Sequence, residues 1–392
     1  MYNSRQQNQL ITWQSKIMTE SSANKPPFRA EHVGSFLRPQ RLLDAARARK
    51  AGGIDDDGFK QVQDECISEI VAFQDEVGVP SVTDGEFRRR VWSSGLTDSL
   101  EGMGLKNEGI LSFHSEDEEY GVPPSPYAEG RLSRRKNIVT DDFNYVRSTN
   151  PKGMAKVTVA SPAVLHFWLG DGSFNPDVYK DRADFFADLV TVFRGEVADL
   201  ADAGCKFLQL DDTALPCNCD DNARAAIKER GEDADELTAS YVGLINDCVS
   251  ERPDDMFVGL HMCRGNLKGM WMAEGGYEPI ADVLFNDLNI DAFFMEYDTE
   301  RAGDFKPLRF LPKGKTAVLG LVSTKTPVLE SKDELKRRID EAVQFAPLDQ
   351  LALSPQCGFS SGGGDGQVIT PDDVRRKLTL ILEVADEVWG TV

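Results

Sequence analysis

Short apolar runs recur along the chain, each closing on polar residues: AEHVGS (30–35), PSVTDGE (80–86), AKVTVASP (155–162) and KFLQLDD (206–212) in the first half. The second half repeats the rhythm with MFVGLHMC (256–263), DAFFMEYD (291–298), TAVLGLVS (316–323) and QLALSPQC (350–357). Continuous apolar runs, rather than strict alternation, read as strands buried on both faces. Between them lie stretches with apolar residues at i, i+3 and i+4, which predict helices over 59–78, 182–204, 235–251 and 333–345. A closing helix is predicted over 371–390, opening on Pro371 and ending at Gly390.

Eight strands alternating with helices predict an α/β fold, a (β/α)8 TIM barrel. A doubly wound open sheet is the rival, but a barrel accounts better for the polar endings, because the C-terminal ends of all its strands converge on one mouth. Residues 93–154 interrupt the rhythm between the second and third strands. Their Pro, Gly and mixed charge predict an inserted loop or small hairpin subdomain placed to cover the mouth. The expected organisation is a flexible tail over 1–27, with Met18 a candidate natural start, followed by one barrel domain over 28–392.

Composition removes several classes of function. No apolar run approaches the ~18 residues of a membrane helix. The net charge of −21 repels nucleic acid and anionic lipid, with only the short RLSRRK (131–136) standing against it. The polar N-terminus lacks the apolar core of a signal peptide. Seven cysteines, an odd and scattered number, point to reduced thiols and a cytoplasmic protein. Nothing in the composition decides the oligomeric state, and a homo-oligomer stays open.

Chemistry concentrates at the strand endings. His261 and Cys263 close the fifth run with one residue between them, and alternation along a strand points both side chains the same way. Glu296 closes the sixth run and Cys357 the eighth. One imidazole, two thiols and a carboxylate at one rim form a ligand set suited to tetrahedral Zn2+. Singly, each cysteine reads as a small buried hydrophobe and the histidine as a hydrogen-bonded core residue; their joint occurrence at equivalent strand ends favours the metal. Cys217 and Cys219 lack a second pair at ligand spacing and read as loop thiols, and His114 and His166 as structural or exposed. SSGGGDG (360–366) lacks the ending of a phosphate loop and reads as a flexible loop beside Cys357.

Seven motifs in order, HVGSFLRP, TDGEFRRR, LQLDDTAL, GLHMCRGN, EYDTERAGDFKPLRFLP, LGLVSTKTP and LSPQCGFSSGG, resemble the catalytic C-terminal barrel of cobalamin-independent methionine synthase and its short single-barrel homologues. The resemblance runs from about residue 28 to near the C-terminus. It implies zinc held by His261, Cys263, Glu296 and Cys357, with the carboxylate the ligand most easily displaced by a substrate thiol. It also implies that Ser35, Glu86 and Asp211 contact the amino acid part of homocysteine.

The chemistry of the residues runs alongside. Coordination strips the proton from a thiol of pKa near ~8.5 and keeps a nucleophile. Asp211 and Asp212 either anchor an ammonium and assist proton delivery or, as solvated acids, cap the next helix. Trp168, beside Phe167, either stacks on a flat donor such as a methylated folate or packs in the core. Arg38, Arg88 and Arg89 either bind substrate carboxylates or pair with local acids. Where the synthase carries His-Ser-Pro after strand seven, this chain has Lys325-Thr326-Pro327, which makes Lys325 a candidate acid or anion binder. The synthase also has a second barrel that this chain lacks, which leaves the donor open. The expected function is methyl transfer to the thiol of homocysteine. The alternatives are zinc-dependent addition of a different thiol to an epoxide, or a non-catalytic zinc-binding barrel.

Overall fold

The computed structural model describes residues 26–115, 119–360 and 367–392. Its strands are β1 Ser81–Val82, β2 Leu100–Lys106, β3 Phe113–His114, β4 Glu119–Gly121, β5 Ser125–Arg134, β6 Met154–Ala155, β7 Val157–Ala160, β8 Phe207–Asp212, β9 Phe257–Met262, β10 Ala292–Glu296, β11 Thr316–Val322 and β12 Leu351–Pro355. The tail expected over 1–27 lies outside the described residues except for its last two, and so does the glycine-rich stretch after Ser360.

The apolar runs pair as parallel neighbours in the order β12-β11-β10-β9-β8-β7. The same polypeptide that enters β7 first pairs as β6 with β1, so the second predicted strand joins the sheet beyond β7. At the other edge Ala30 bridges in parallel to Leu353 on β12. The seam between the first and second runs is crossed by Phe36 N donating to the Gly85 carbonyl (3.1 Å) and Thr83 Oγ1 donating to the Gly34 carbonyl (2.6 Å). The ring of eight segments is thereby complete, a (β/α)8 barrel.

The first run departs from expectation. It forms no regular strand, because Glu31 and His32 interrupt the apolar sequence and Gly34 takes a φ of 137°. A Cβ at Gly34 would come within 2.7 Å of Thr158 Cγ2, so only glycine passes there. Polar ties replace the missing ladder. Ser81 Oγ donates to Glu31 (2.9 Å), the Lys156 ammonium pairs with the same carboxylate (3.3 Å), and Gln209 Nε2 donates to the Val33 carbonyl (2.6 Å). All this sits beside a small barrel-interior cluster of Phe207, Ala292, Phe294, Val318 and Ala352.

The predicted helices form as Asp56–Val77, Arg182–Asp202, Ala234–Val249, Lys332–Val343 and Pro371–Trp389. Their caps are written in the sequence: Asp55 and Asp181 accept from backbone N–H groups of the first turn, and Thr370 with Asp373 closes a reciprocal capping box. Among the described residues no helix is long and apolar enough to cross a membrane.

Between β1 and β6 the chain makes two antiparallel pairs, β2 with β5 and β3 with β4, then a helix, Thr140–Ser148. The return of this segment is anchored by the buried Glu196, whose carboxylate accepts from the backbone N–H groups of Ile138, Val139 and Thr140. The β3–β4 hairpin reaches the loop after β9, where His114 and Trp271 exchange backbone hydrogen bonds of 2.9 and 3.0 Å.

Candidate metal centre

Parallel register carries the chemistry to one rim. Asp211 and Asp212 on β8 lie opposite His261 and Met262 on β9, and Glu296 ends β10. Cys263 follows the end of β9, its N–H donating to the Asp212 carbonyl (2.9 Å), and Cys357 lies two residues beyond β12. The ligand atoms of His261, Cys263 and Cys357 all fall within 4.8 Å of one another, with the two sulfurs 3.5 Å apart. His261 is buried, and neither ring nitrogen has a hydrogen-bond partner. A buried imidazole with both nitrogens orphaned costs free energy unless something else satisfies it. With two soft sulfur donors beside it, the set fits Zn2+. The thiols share one proton: the Cys357 hydrogen bond brings Cys263 down to about 5, and the thiolate so formed pushes Cys357 up.

Glu296 is not part of that triad. It is fully buried, and its Oε1 accepts from Lys325 Nζ and Arg301 Nη2, both at 2.9 Å, while Oε2 accepts from the Arg264 N–H at 3.0 Å. Burial pushes this carboxyl up, but Lys325, Arg264 and Arg301 outweigh it and hold it at about 2. Lys325, read from sequence as an acid or anion binder, is a half-buried cation shared between Glu296 (2.9 Å) and Asp298 (3.3 Å).

On the other side of the mouth, Glu86 is buried with a φ of 62°. It accepts from Thr158 Oγ1 (3.0 Å) and faces Arg89 (3.4 Å). Asp211 accepts from Gln209 Nε2 at 2.7 Å, and burial together with the nearby Glu86 charge lifts it to about 7. Asp212 caps the short helix Ala214–Cys217 through Leu215 N (2.7 Å) and is lifted by burial to about 6. The capping half of the structural reading therefore holds for Asp212, whereas neither acid is solvated. Ser35 is buried against the segment after β12: Ser360 N reaches its Oγ at 3.4 Å, and a Cβ on Gly358 would meet that oxygen at 1.9 Å.

The other residues singled out from sequence meet varied surroundings. Arg38 donates to Ser360 Oγ and to the carbonyls of Glu86 and Arg89, so it ties the turn after β1 to the segment after β12. Arg88 pairs with Asp64 and Asp142, as the local-acid reading anticipated. Trp168 is only 7% exposed, edge-on to Phe167 in the main core, which leaves little ring face for a flat ligand. Cys217 ends the short helix Ala214–Cys217 rather than lying in a loop, Cys219 sits in the turn that follows it, and both thiols are buried. His166 joins Asp171 and Glu232 in a second cluster, but Tyr241, Arg182 and Arg230 already satisfy it.

Sequence reasoning passed over Arg301, Asp298 and Arg264. The alternating acids and bases of EYDTER carried a signal, since a cation five residues past a strand-end Glu returns to it through one short turn. His32, also passed over, is buried with Nε2 on the Ser81 carbonyl (2.9 Å), and burial lowers it to about 3.

Comparison with known proteins follows the same outline. Residues 28–386 match the family model described as cobalamin-independent synthase, catalytic domain. A protein of Bacillus subtilis named uncharacterized protein YxjH is 36% identical over 368 residues, covering 93% of this chain and 96% of that protein. The methionine synthase of Pyrococcus abyssi is 25% identical over 331 residues, 83% of this chain and 85% of its own. The crystal structure of a putative vitamin-B12-independent methionine synthase from Listeria monocytogenes superposes with a TM-score of 0.74 at 33% identity, covering 93% of this chain and 99% of that one.

Proposed function

The chain belongs to the family of cobalamin-independent synthase catalytic domains, and from that premise we propose that it is a zinc-dependent methyltransferase that methylates the thiol of homocysteine, with a methylated folate as donor. The observation that carries this reading is the triad of two thiols and an orphaned buried imidazole at the barrel mouth.

His261, Cys263 and Cys357 would hold the metal. When bound, zinc supplies Lewis acidity that keeps a thiol deprotonated at neutral pH. The protein's own residues do the rest. Glu86, in the turn after β1, and Asp211, on the strand beside that of His261, bind the substrate ammonium by hydrogen bonds. Ser35, fixed against the segment after β12, orients the amino acid end. The S–C bond forms as the donor's N–CH3 bond breaks, and the thiol proton passes to the donor nitrogen. Asp211, lifted to about 7, is placed to hold a proton for that delivery near neutral pH. The buried walls of β8 to β10 exclude water, and orientation lowers the barrel-bound reaction's entropic cost.

The test is elemental analysis of the native, unchelated protein, then X-ray absorption at the zinc edge with and without homocysteine. One zinc per chain whose shell gains a sulfur on adding homocysteine is the expected result. Protein without zinc would sink the mechanism, and zinc with an unchanged shell would move the search to other thiols.

A further inference from the structure

We propose that Thr158 is a positioning residue for substrate binding: its hydroxyl holds the Glu86 carboxylate off the Arg89 guanidinium, so that the acid faces the substrate ammonium. The inference rests on the reading above in which Glu86 binds that ammonium, and it adds the residue on which that binding depends.

Glu86 reaches the mouth from a turn, with its own φ at 62° and that of Gly85 at 68°. The cation beside it is Arg89, three residues on and only 6% exposed. Arg89 Nη1 stands 3.4 Å from Glu86 Oε2, yet neither Nη1 nor Nε makes a hydrogen bond among the described residues. Burial works against this guanidinium, but Glu86, Asp84, Asp211 and Asp142 outweigh it and hold the group above its ordinary value, so Arg89 stays a cation. Buried donors left empty beside a carboxylate are unfavourable. Closing the gap to the about 2.8 Å of a charge-assisted hydrogen bond would fill them and turn the acid's lone pairs away from the mouth.

Thr158, on β7, stands between the two. Its Oγ1 donates to Glu86 Oε1 at 3.0 Å, while Arg89 Nη2 donates to the same Oγ1 at 3.0 Å and to the Thr158 carbonyl. A hydroxyl has one hydrogen, and with the guanidinium donating to its oxygen that hydrogen goes to the carboxylate. The side chain is stiff at χ1, and its methyl group is packed where a Cβ on Gly34 would meet it at 2.7 Å. Thr158 thus engages both partners and keeps them from closing on each other, which leaves Glu86 Oε2 for a substrate.

The experiment measures, by calorimetry on the full chain supplied with Zn2+, the affinities of homocysteine and of 4-mercaptobutyrate, the same thiol acid without its amino group. Wild type should favour homocysteine by about tenfold or more. Thr158→Val keeps the shape and removes the hydroxyl; it should weaken homocysteine roughly tenfold and leave 4-mercaptobutyrate within about twofold. Thr158→Ser, with the hydroxyl back, should restore the preference. In a Glu86→Gln background, which has already lost the preference, Thr158→Val should move homocysteine affinity by less than about twofold, because the two residues act as one. A preference that survives Thr158→Val, or an equal weakening of both thiols, would overturn this proposal alone. A wild-type chain that binds both thiols alike would remove the ammonium role of Glu86 with it, and one that binds neither would remove the functional reading as well.

Discussion

Asp142 shows how much a single side chain's surroundings decide. It sits in the first turn of the helix Thr140–Ser148, paired with Arg88 at 2.9 Å, yet burial and the neighbouring Asp84 lift its carboxyl to about 7. A carboxyl raised on folding contributes stability while protonated, at low pH, and loses that contribution as pH climbs through the folded value. Asp142→Asn should therefore gain on wild type by about 2 kcal/mol between pH 5 and pH 8, read by urea denaturation. A variant that instead loses ground as pH rises would show the Arg88 pair dominating. At this scale the gathering of His261, Cys263 and Cys357 into one candidate centre was legible, because side-chain direction along a strand has a period of two and strand ends of one sheet share a rim. The company kept by Glu296 was not, since Arg301 and Lys325 reach it from two different loops and nothing in spacing says which way a carboxylate turns.

Among elements, the first barrel segment is the instructive one. Its apolar run marked its place in the sheet, but its backbone makes one bridge to Leu353 and then depends on Glu31, Lys156, Thr83 and Gln209. Lys156 is fully buried, with its ammonium over the Phe207 and Phe294 rings at 4.9 and 4.8 Å. Lys156→Met strands the Glu31 carboxylate and should cost about 3–5 kcal/mol in urea unfolding. Adding Glu31→Gln should return a good part of it, because the loss lies in an unpaired buried charge rather than in the pair itself. Two equal losses that simply add would place the two residues in separate roles. Helices were the most legible elements, since amphipathic spacing and Asp, Thr and Gly caps are local. The insertion was legible as a loop or small hairpin subdomain but not in its pairings, because a register that sets Leu100 of β2 opposite Arg134 of β5 depends on partners that no local pattern names.

For the whole molecule the dominating quantity is a net charge of −21. Raising ionic strength from about 0.01 M to about 0.1 M shortens the Debye length from about 30 Å to about 10 Å and screens this self-repulsion. The urea midpoint should rise across that range, and a fall would mean that attractive surface ion pairs outweigh the net repulsion. The sequence by itself determined the alternation of buried strands and amphipathic helices, and with it the barrel, because burial on both faces of a parallel sheet leaves continuous apolar runs that survive in any context. It also determined which residues stand at the strand ends, and so the thiols and imidazole of the candidate centre. Only the tertiary structure decided how charge is distributed around them: that Glu296 belongs to Lys325 and Arg301, that Asp211 and Asp212 are buried, that Trp168 is core. Those outcomes depend on distances between segments far apart in the chain, where burial and opposite charge compete on scales of a few ångströms.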